Sequence, residues 1–274
     1  MRVQFSKMHG LGNDFVLINN LELQHSFSAC EIKFIANRKL GVGCDQVLLI
    51  NHASDGLSDF FYAIYNSDGS IAEQCGNGAR CFIRYIVDHG LSTKQQLRLQ
   101  ILGGSITGCQ INENLYQVSL GEAVFTPALI PLVAPSAAAY YCEGEISFAA
   151  LSVGNPHAVI ELASREELAQ DEKLAKLALK LQNSGLFPEG VNVNFVYYHD
   201  ASKIELRTYE RGCGFTEACG SGACASAVIA IREARASGPV LVNMPGGSLV
   251  ISLEEKVIVM QGPAAYVFNG ELNL

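Results

Sequence analysis

The stretch Cys75-Gly76-Asn77-Gly78-Ala79-Arg80-Cys81 and its echo Cys219-Gly220-Ser221-Gly222-Ala223-Cys224 decide how this chain is built. In each, a cysteine enters a glycine-rich turn that opens a helix, expected over 77–89 before Gly90 and over 221–236 before Gly238-Pro239. Tyr65-Asn66 stands ten residues before Cys75, and Tyr209-Glu210 stands ten before Cys219. Other fragments recur in the same order: Asn13-Asp14-Phe15-Val16 with Asn155-Pro156-His157-Ala158-Val159, Gly103-Gly104-Ser105 with Gly246-Gly247-Ser248, and Gly121-Glu122-Ala123 with Gly262-Pro263-Ala264. Self-similarity at nearly the same spacing, in the same order, means duplication. The expected organisation is two homologous lobes, 1–120 and 121–264, with a strand over 265–274 returning to the first. The proline-bearing stretch 126–135 is expected to mark the crossing between them.

Around the two helices the pattern is that of strands. Alternating or β-branched runs occupy 46–50, 60–65, 97–101, 116–120, 192–198, 203–209, 240–244, 249–253 and 257–260. Two further helices are announced by capping boxes, Ser28 with Glu31 and Ser164 with Glu167, and are expected to end near Gly41 and Gly185. The class is α/β (α+β), each lobe offering a sheet and a buried helix whose first turn carries a thiol.

Composition narrows the function classes. A chain of 274 residues with 49% hydrophobic residues can bury two cores. It has no apolar run long enough for a membrane span, and its start lacks the apolar core of a signal peptide, so a cytoplasmic protein is expected. A net charge of −8 without a basic patch argues against nucleic acid. Nine cysteines, an odd number, suggest free thiols in a reducing compartment, and the spacings match no common zinc pattern, so no metal is expected.

The first amides of a helix lack intrahelical partners and the aligned peptide dipoles make that end electropositive. A cysteine there is expected to have its thiolate favoured, and the glycines let a carboxylate approach the bare amides. If both helix starts address one substrate, one thiolate can remove an α-proton while the other thiol supplies one from the opposite face, inverting the centre. Pyridoxal phosphate often assists such chemistry. Nothing here calls for it, although the residues alone leave a Schiff-base lysine open. Taken singly, a cysteine in a glycine-rich turn is most often a small buried residue, which is the reading for Cys30, Cys44, Cys81, Cys109, Cys142 and Cys224. Duplication sets Cys75 and Cys219 apart.

These residues, together with Lys7-Met8-His9-Gly10-Leu11-Gly12-Asn13-Asp14-Phe15, Asp45-Gln46, Asn66-Ser67-Asp68-Gly69-Ser70, Gly154-Asn155-Pro156-His157, Val191-Asn192, Tyr209-Glu210-Arg211-Gly212 and Pro245-Gly246-Gly247, closely resemble the diaminopimelate epimerase family from end to end. The resemblance implies two lobes of one fold, each a mostly antiparallel, barrel-like sheet around a central helix, and cofactor-independent interconversion of LL- and meso-diaminopimelate. It implies that Cys219 accepts and Cys75 donates the proton in the LL-to-meso direction. Gly76-Asn77 and Gly220-Ser221 would present amides to the carboxylate at the reacting centre. Arg211 and Glu210 would meet the distal carboxylate and ammonium, Asn13, Gln46, Asn66, Asn155 and Asn192 would fix orientation, and His157 with Glu210 would tune the thiols' protonation. A homodimer with a contact near Phe268 is also implied. Phe215 departs from the pattern, standing where a glutamate is usual, and Cys44 and Cys213 are added thiols.

Rival readings remain. A proline or hydroxyproline racemase shares the paired thiols but has no distal amino-acid centre to satisfy Glu210 and Arg211. A phenazine-type isomerase shares the duplication without the cysteine pair. A non-catalytic amino-acid binder or redox sensor would use the two thiols as a regulatory disulfide.

Overall fold

The computed structural model describes Met1–Leu274, and the chain divides into two compact units, Met1–Ser119 with Gln261–Leu274, and Leu120–Met260. The first contains β1 (Arg2–Gly10), β2 (Asn13–Asn19), α1 (Ala29–Ala36), β3 (Gln46–Asn51), β4 (Phe60–Asn66), β5 (Ile71–Ala72), α2 (Gly76–Asp88), β6 (Gln96–Ile101), β7 (Gly104–Asn112) and most of β8 (Leu115–Glu122). The second runs through β9 (Tyr141–Glu143), β10 (Ile146–Ser152), β11 (Pro156–Glu161), α3 (Asp171–Gln182), β12 (Asn192–Asp200), β13 (Lys203–Glu210), β14 (Gly214–Phe215), α4 (Gly220–Arg232), β15 (Val240–Met244), β16 (Gly247–Glu254) and β17 (Val257–Gly262). β18 (Ala265–Asn273) runs antiparallel to β1.

The two units share one pairing scheme. β1 with β2, β3 with β4, β4 with β5 and β6 with β7 are antiparallel, while β2 with β3 and β4 with β6 are parallel. The same sequence of pairings repeats from β10 to β16, including parallel β11 with β12 and β13 with β15. Register fixes the equivalences: Phe15 lies beside Gln46 as His157 lies beside Asn192.

Each sheet is covered on both faces, so its central strands are continuously apolar rather than alternating. In the first unit Val16, Ile18, Val47 and Leu49 pack with Ile32 and Ile35 of α1. Their neighbours Phe15, Leu17 and Leu48 are equally buried on the opposite face, where α2 packs against β1, β2, β3 and β7. In the second unit α3 buries Leu174, Ala178 and Leu181 against Ala158, Ile160, Val193 and Phe195, and α4 packs against β10, β11, β12, β13, β15 and β16. A helix touched by six strands has almost no polar face, and ten residues of α4 are buried. No helix is long and apolar enough to cross a membrane.

Several local expectations change. The stretch 126–135 lies within the second unit, where Ile130 and Leu132 are buried in its core. The helix expected over 221–236 ends at Arg232: Ala234 takes the left-handed turn at φ 56°, and the amides of Arg235 and Ala236 return to the Ala230 carbonyl. Ser28 and Glu31 do form a capping box, but α1 ends at Ala36 with Asn37 as its C-cap, before Gly41. Ser164 caps nothing with its side chain: a short 3-10 turn, Arg165–Ala169, intervenes and α3 starts at Asp171.

Candidate active site

Cys75 and Cys219 are themselves the N-caps of α2 and α4, in extended conformation, so the helices begin at Gly76 and Gly220. Each sulfur accepts a hydrogen bond from the third amide of its helix, Gly78 N at 3.4 Å and Gly222 N at 3.3 Å. The sulfur does the work a serine oxygen does in an ordinary cap. Gly78 and Gly222 are required by close packing. A methyl on Gly78 would stand 2.3 Å from the Tyr62 hydroxyl, and one on Gly222 would stand 2.4 Å from Asn194 Oδ1 and 2.8 Å from Thr208 Oγ1.

The surroundings of the two sulfurs differ. Cys75 is half-buried, and its thiol lies 3.7 Å from Asn13 Oδ1. Asn13 Oδ1 also accepts from Asn77 Nδ2 at 3.4 Å, and Asn13 Nδ2 donates to Asp45 at 3.1 Å. Asn77 Oδ1 in turn accepts from Arg80 Nη2 at 2.9 Å, and Arg80, fully buried, also donates to the carbonyls of Pro263 and Gly76. Beside Asn13, Asp14 is held well below the usual carboxylate range: burial works against this, but hydrogen bonds from Arg38 and Lys7 prevail.

Cys219 is buried, and burial drives its thiol well above the usual range, reinforced by the Glu210 carboxylate that it faces. Ser221 Oγ, 3.5 Å away, and the Gly222 amide oppose this without reversing it. The thiolate expected at a helix N-terminus is therefore not favoured at Cys219, because desolvation and the Glu210 carboxylate outweigh the hydrogen bonds from Ser221 and the Gly222 amide. Glu210 also accepts from Thr216 Oγ1 at 2.6 Å. Phe215 packs edge-on to Tyr209, with the Arg207 guanidinium 4.7 Å above its ring, so the position usual for a glutamate carries an apolar stack.

The remaining expected site residues fall into two sets. Gln46 Nε2 donates to Asn66 Oδ1 at 2.9 Å, and Gln46 Oε1 is buried with no partner. Asn192 Oδ1 accepts from the Arg211 backbone amide at 2.9 Å, and the Arg211 guanidinium donates to the Glu189 carbonyl while its stem lies over Gly190. Asn155 Oδ1 meets His157 Nε2 at 2.9 Å. His157 does not fit its expected part in tuning a thiol: both ring nitrogens are taken by asparagines, Asn155 and Asn194, and burial pushes its pKa down to about 3. Cys44 is buried with its thiol pushed up to about 12, and Cys213 is exposed.

Sequence reasoning passed over Asn194, Thr208, Arg80 and Tyr62. A signal for the first two was present: Asn194 interrupts the apolar run Val193 to Val196, and strand alternation sets it on the face opposite that of Val193 and Phe195.

The family model described as diaminopimelate epimerase matches residues 5–126 and 149–267. The diaminopimelate epimerase of Nitrosospira multiformis is 41% identical over 283 residues, covering 100% of this chain and 99% of that protein. That of Chromobacterium violaceum is 39% identical, covering 100% of both. Among solved structures, a hydroxyproline epimerase from Agrobacterium vitis superposes with a TM-score of 0.74 at 13% identity, over 99% of this chain and 91% of that one. A PhzF-family phenazine biosynthesis protein from Bacillus anthracis gives 0.69 at 13% identity, over 100% of both. At such identity these two structures speak to the fold alone.

Proposed function

The chain belongs to the diaminopimelate epimerase family and is an isomerase; on that premise we propose that it interconverts LL- and meso-2,6-diaminopimelate with two thiols, one from each unit, and no cofactor. The observation that carries the reading is the repeated thiol N-cap: two cysteines at equivalent helix starts, each beside unencumbered first-turn amides. The amides of Gly76-Asn77 and Gly220-Ser221 receive the α-carboxylate and stabilise the enolate-like charge that develops as the proton leaves.

In the LL-to-meso direction Cys219 accepts the α-proton and Cys75 returns one to the opposite face. Burial and the Glu210 carboxylate hold the Cys219 thiol well above its usual range, so its proton must first move to a base. Glu210 is the carboxylate beside it, and a neutral Glu210 then lets the thiolate form against the Gly222 amide. Arg211 meets the distal carboxylate, a pairing suited to guanidinium geometry. The pathways served are lysine and peptidoglycan precursor synthesis, in the cytoplasm. A homodimer would bury Val267 and Phe268, both exposed on β18.

The test is incubation of the reduced protein with LL-diaminopimelate in deuterium oxide, with chiral separation and mass spectrometry of the product. The reading requires meso product carrying one solvent deuterium, lost in both Cys75→Ser and Cys219→Ser. Exchange with hydroxyproline but not diaminopimelate would move the assignment to a racemase of the Agrobacterium type.

A further inference from the structure

Beneath the first turn of α4 lies a chain of polar side chains inside an otherwise apolar core. Thr208, Asn194 and His157 are 2%, 0% and 0% exposed. Thr208 Oγ1 is 3.0 Å from Asn194 Oδ1, Asn194 Nδ2 is 3.0 Å from His157 Nδ1 and 3.2 Å from the Ala158 carbonyl, and His157 Nε2 is 2.9 Å from Asn155 Oδ1. Only Asn155, at the end, is half-exposed.

The direction of every bond in this chain is fixed by chemistry. A carbonyl oxygen can only accept, so the Asn194 atom facing Ala158 must be the NH2. The same NH2 then donates to His157 Nδ1, which must be the bare nitrogen, and the Asn194 oxygen takes the Thr208 hydroxyl proton. His157 therefore carries its hydrogen on Nε2 and donates it to Asn155 Oδ1. With its oxygen turned to His157, Asn155 has its NH2 as the donor for a bound molecule.

The first unit supplies a reference. There a run of donors leads from Arg80 through Asn77 to Asn13, and it ends when Asn13 Nδ2 donates to the Asp45 carboxylate. By register, Gln46 and Asn192 are equivalent, so Val191 occupies the place of Asp45, and Val191 is a buried apolar residue. The second chain has the same donor direction and lacks the terminal carboxylate.

We propose that Thr208 and Asn194 are positioning residues for the epimerisation: acting through the Nε2–H tautomer of His157, they lock Asn155 with its NH2 outward as a donor to a carboxylate of the substrate. This rests on the proposed reaction for the identity of the acceptor, but not for the polarity of the chain. A His157 that stays neutral, as its burial dictates, suits this part, since protonation of Nδ1 would break its bond to Asn194.

Two measurements test it. Nitrogen-15 NMR of histidine-labelled protein, with His157 assigned by loss of its signals in His157→Gln, should show the Nε2–H tautomer unchanged between pH 5 and 9. A Nδ1–H tautomer, or titration near neutrality, would overturn the proposal whatever the substrate proves to be. In the second, Thr208→Val should raise KM for diaminopimelate by about tenfold or more, the scale of a hydrogen bond to a charged group, with a smaller change in kcat, and Thr208→Ser should restore it. A KM that stays put in Thr208→Val while the native protein turns over diaminopimelate would sink the positioning role. Absence of turnover in the native protein would fault the reaction and leave the tautomer result to stand.

Discussion

The two units lay the same strands under the same helix turn and floor it with opposite materials. Under α2 the floor is Phe15, Leu48 and Ile64, all buried, with the Tyr62 hydroxyl donating to the Cys75 carbonyl at 3.0 Å. Under α4 the equivalent places hold His157, Asn194 and Thr208. By register, Asn66 of the first unit answers to Glu210 of the second, the carboxylate that faces Cys219. The backbone of a duplicated unit fixes where a sulfur sits; the side chains beneath and beside it fix how tightly that sulfur holds its proton.

The strongest way to break the comparison is to make the units alike at that position. Glu210→Asn gives the second unit the residue of the first, and we expect turnover to fall by about a hundredfold or more, the usual weight of a positioned acid or base. Removing the carboxylate also removes one of the two effects that raise the Cys219 thiol. The pH midpoint for modification of Cys219 by methyl methanethiosulfonate, read on its peptide by mass spectrometry, should therefore move down. An unmoved midpoint would mean that burial alone sets the thiol.

Stability against acid comes next. His157 takes up a proton at about 3 in the folded protein instead of 6.5, with burial as the cause. Between those values the unfolded chain binds more protons, so this residue's contribution is full above pH 6.5 and is lost as the pH falls toward 3. At about 1.4 kcal/mol per pKa unit the loss is on the order of a few kcal/mol. His157→Phe, the residue of the first unit, should flatten that part of the urea-midpoint profile. A slope that survives the substitution would place the acid sensitivity elsewhere.

A smaller effect probes the floor of the first unit. Gly78→Ala presses a methyl against the Tyr62 hydroxyl at 2.3 Å, and we expect a loss of about 1–3 kcal/mol, typical of overpacking. Tyr62→Phe alone should cost about 1 kcal/mol by removing the hydroxyl's bond to the Cys75 carbonyl, which keeps its bond from the Ala79 amide. Because phenylalanine removes the clashing oxygen, the double variant should be more stable than the sum of the two losses predicts, as thermal denaturation would show.

Much of this architecture is legible in the chain because duplication checks each reading against a second copy. The strands at 46–51 and 192–200, the helix starts at Cys75 and Cys219 and the returning strand β18 all announce themselves by pattern. What the pattern hides is burial at single positions. Asn194 looks like one more polar residue in a strand until its face is seen to be closed by α4, and a cysteine at a helix start looks activated until the loss of water around it is counted. α4 stops at Arg232 with the left-handed turn at Ala234, where a rule based on glycine points to Gly238.

The smallest expected effect compares the two outer helices. Ser28 and Ser164 carry the same box signature, but only Ser28 has both halves of the box, its hydroxyl accepting from the Glu31 amide and the Glu31 carboxylate accepting from the Ser28 amide at 2.7 Å. At the second site Glu167 is drawn to Lys173 at 2.8 Å and to the Ala163 amide at 3.2 Å, so the chain makes a 3-10 turn and restarts at Asp171. Ser28→Ala should therefore cost about 1 kcal/mol, and Ser164→Ala should stay within about 0.5 kcal/mol of the native protein. The pH dependence sharpens this further. Hydrogen bonds from Ser28, and then from His25, lower Glu31 to about 2, so the benefit of the cap is whole above the ordinary glutamate range and fades as pH falls toward 2. Equal losses for the two serines at neutral pH would mean that the cap geometry present at Ser28 and absent at Ser164 is not the source of the stabilisation.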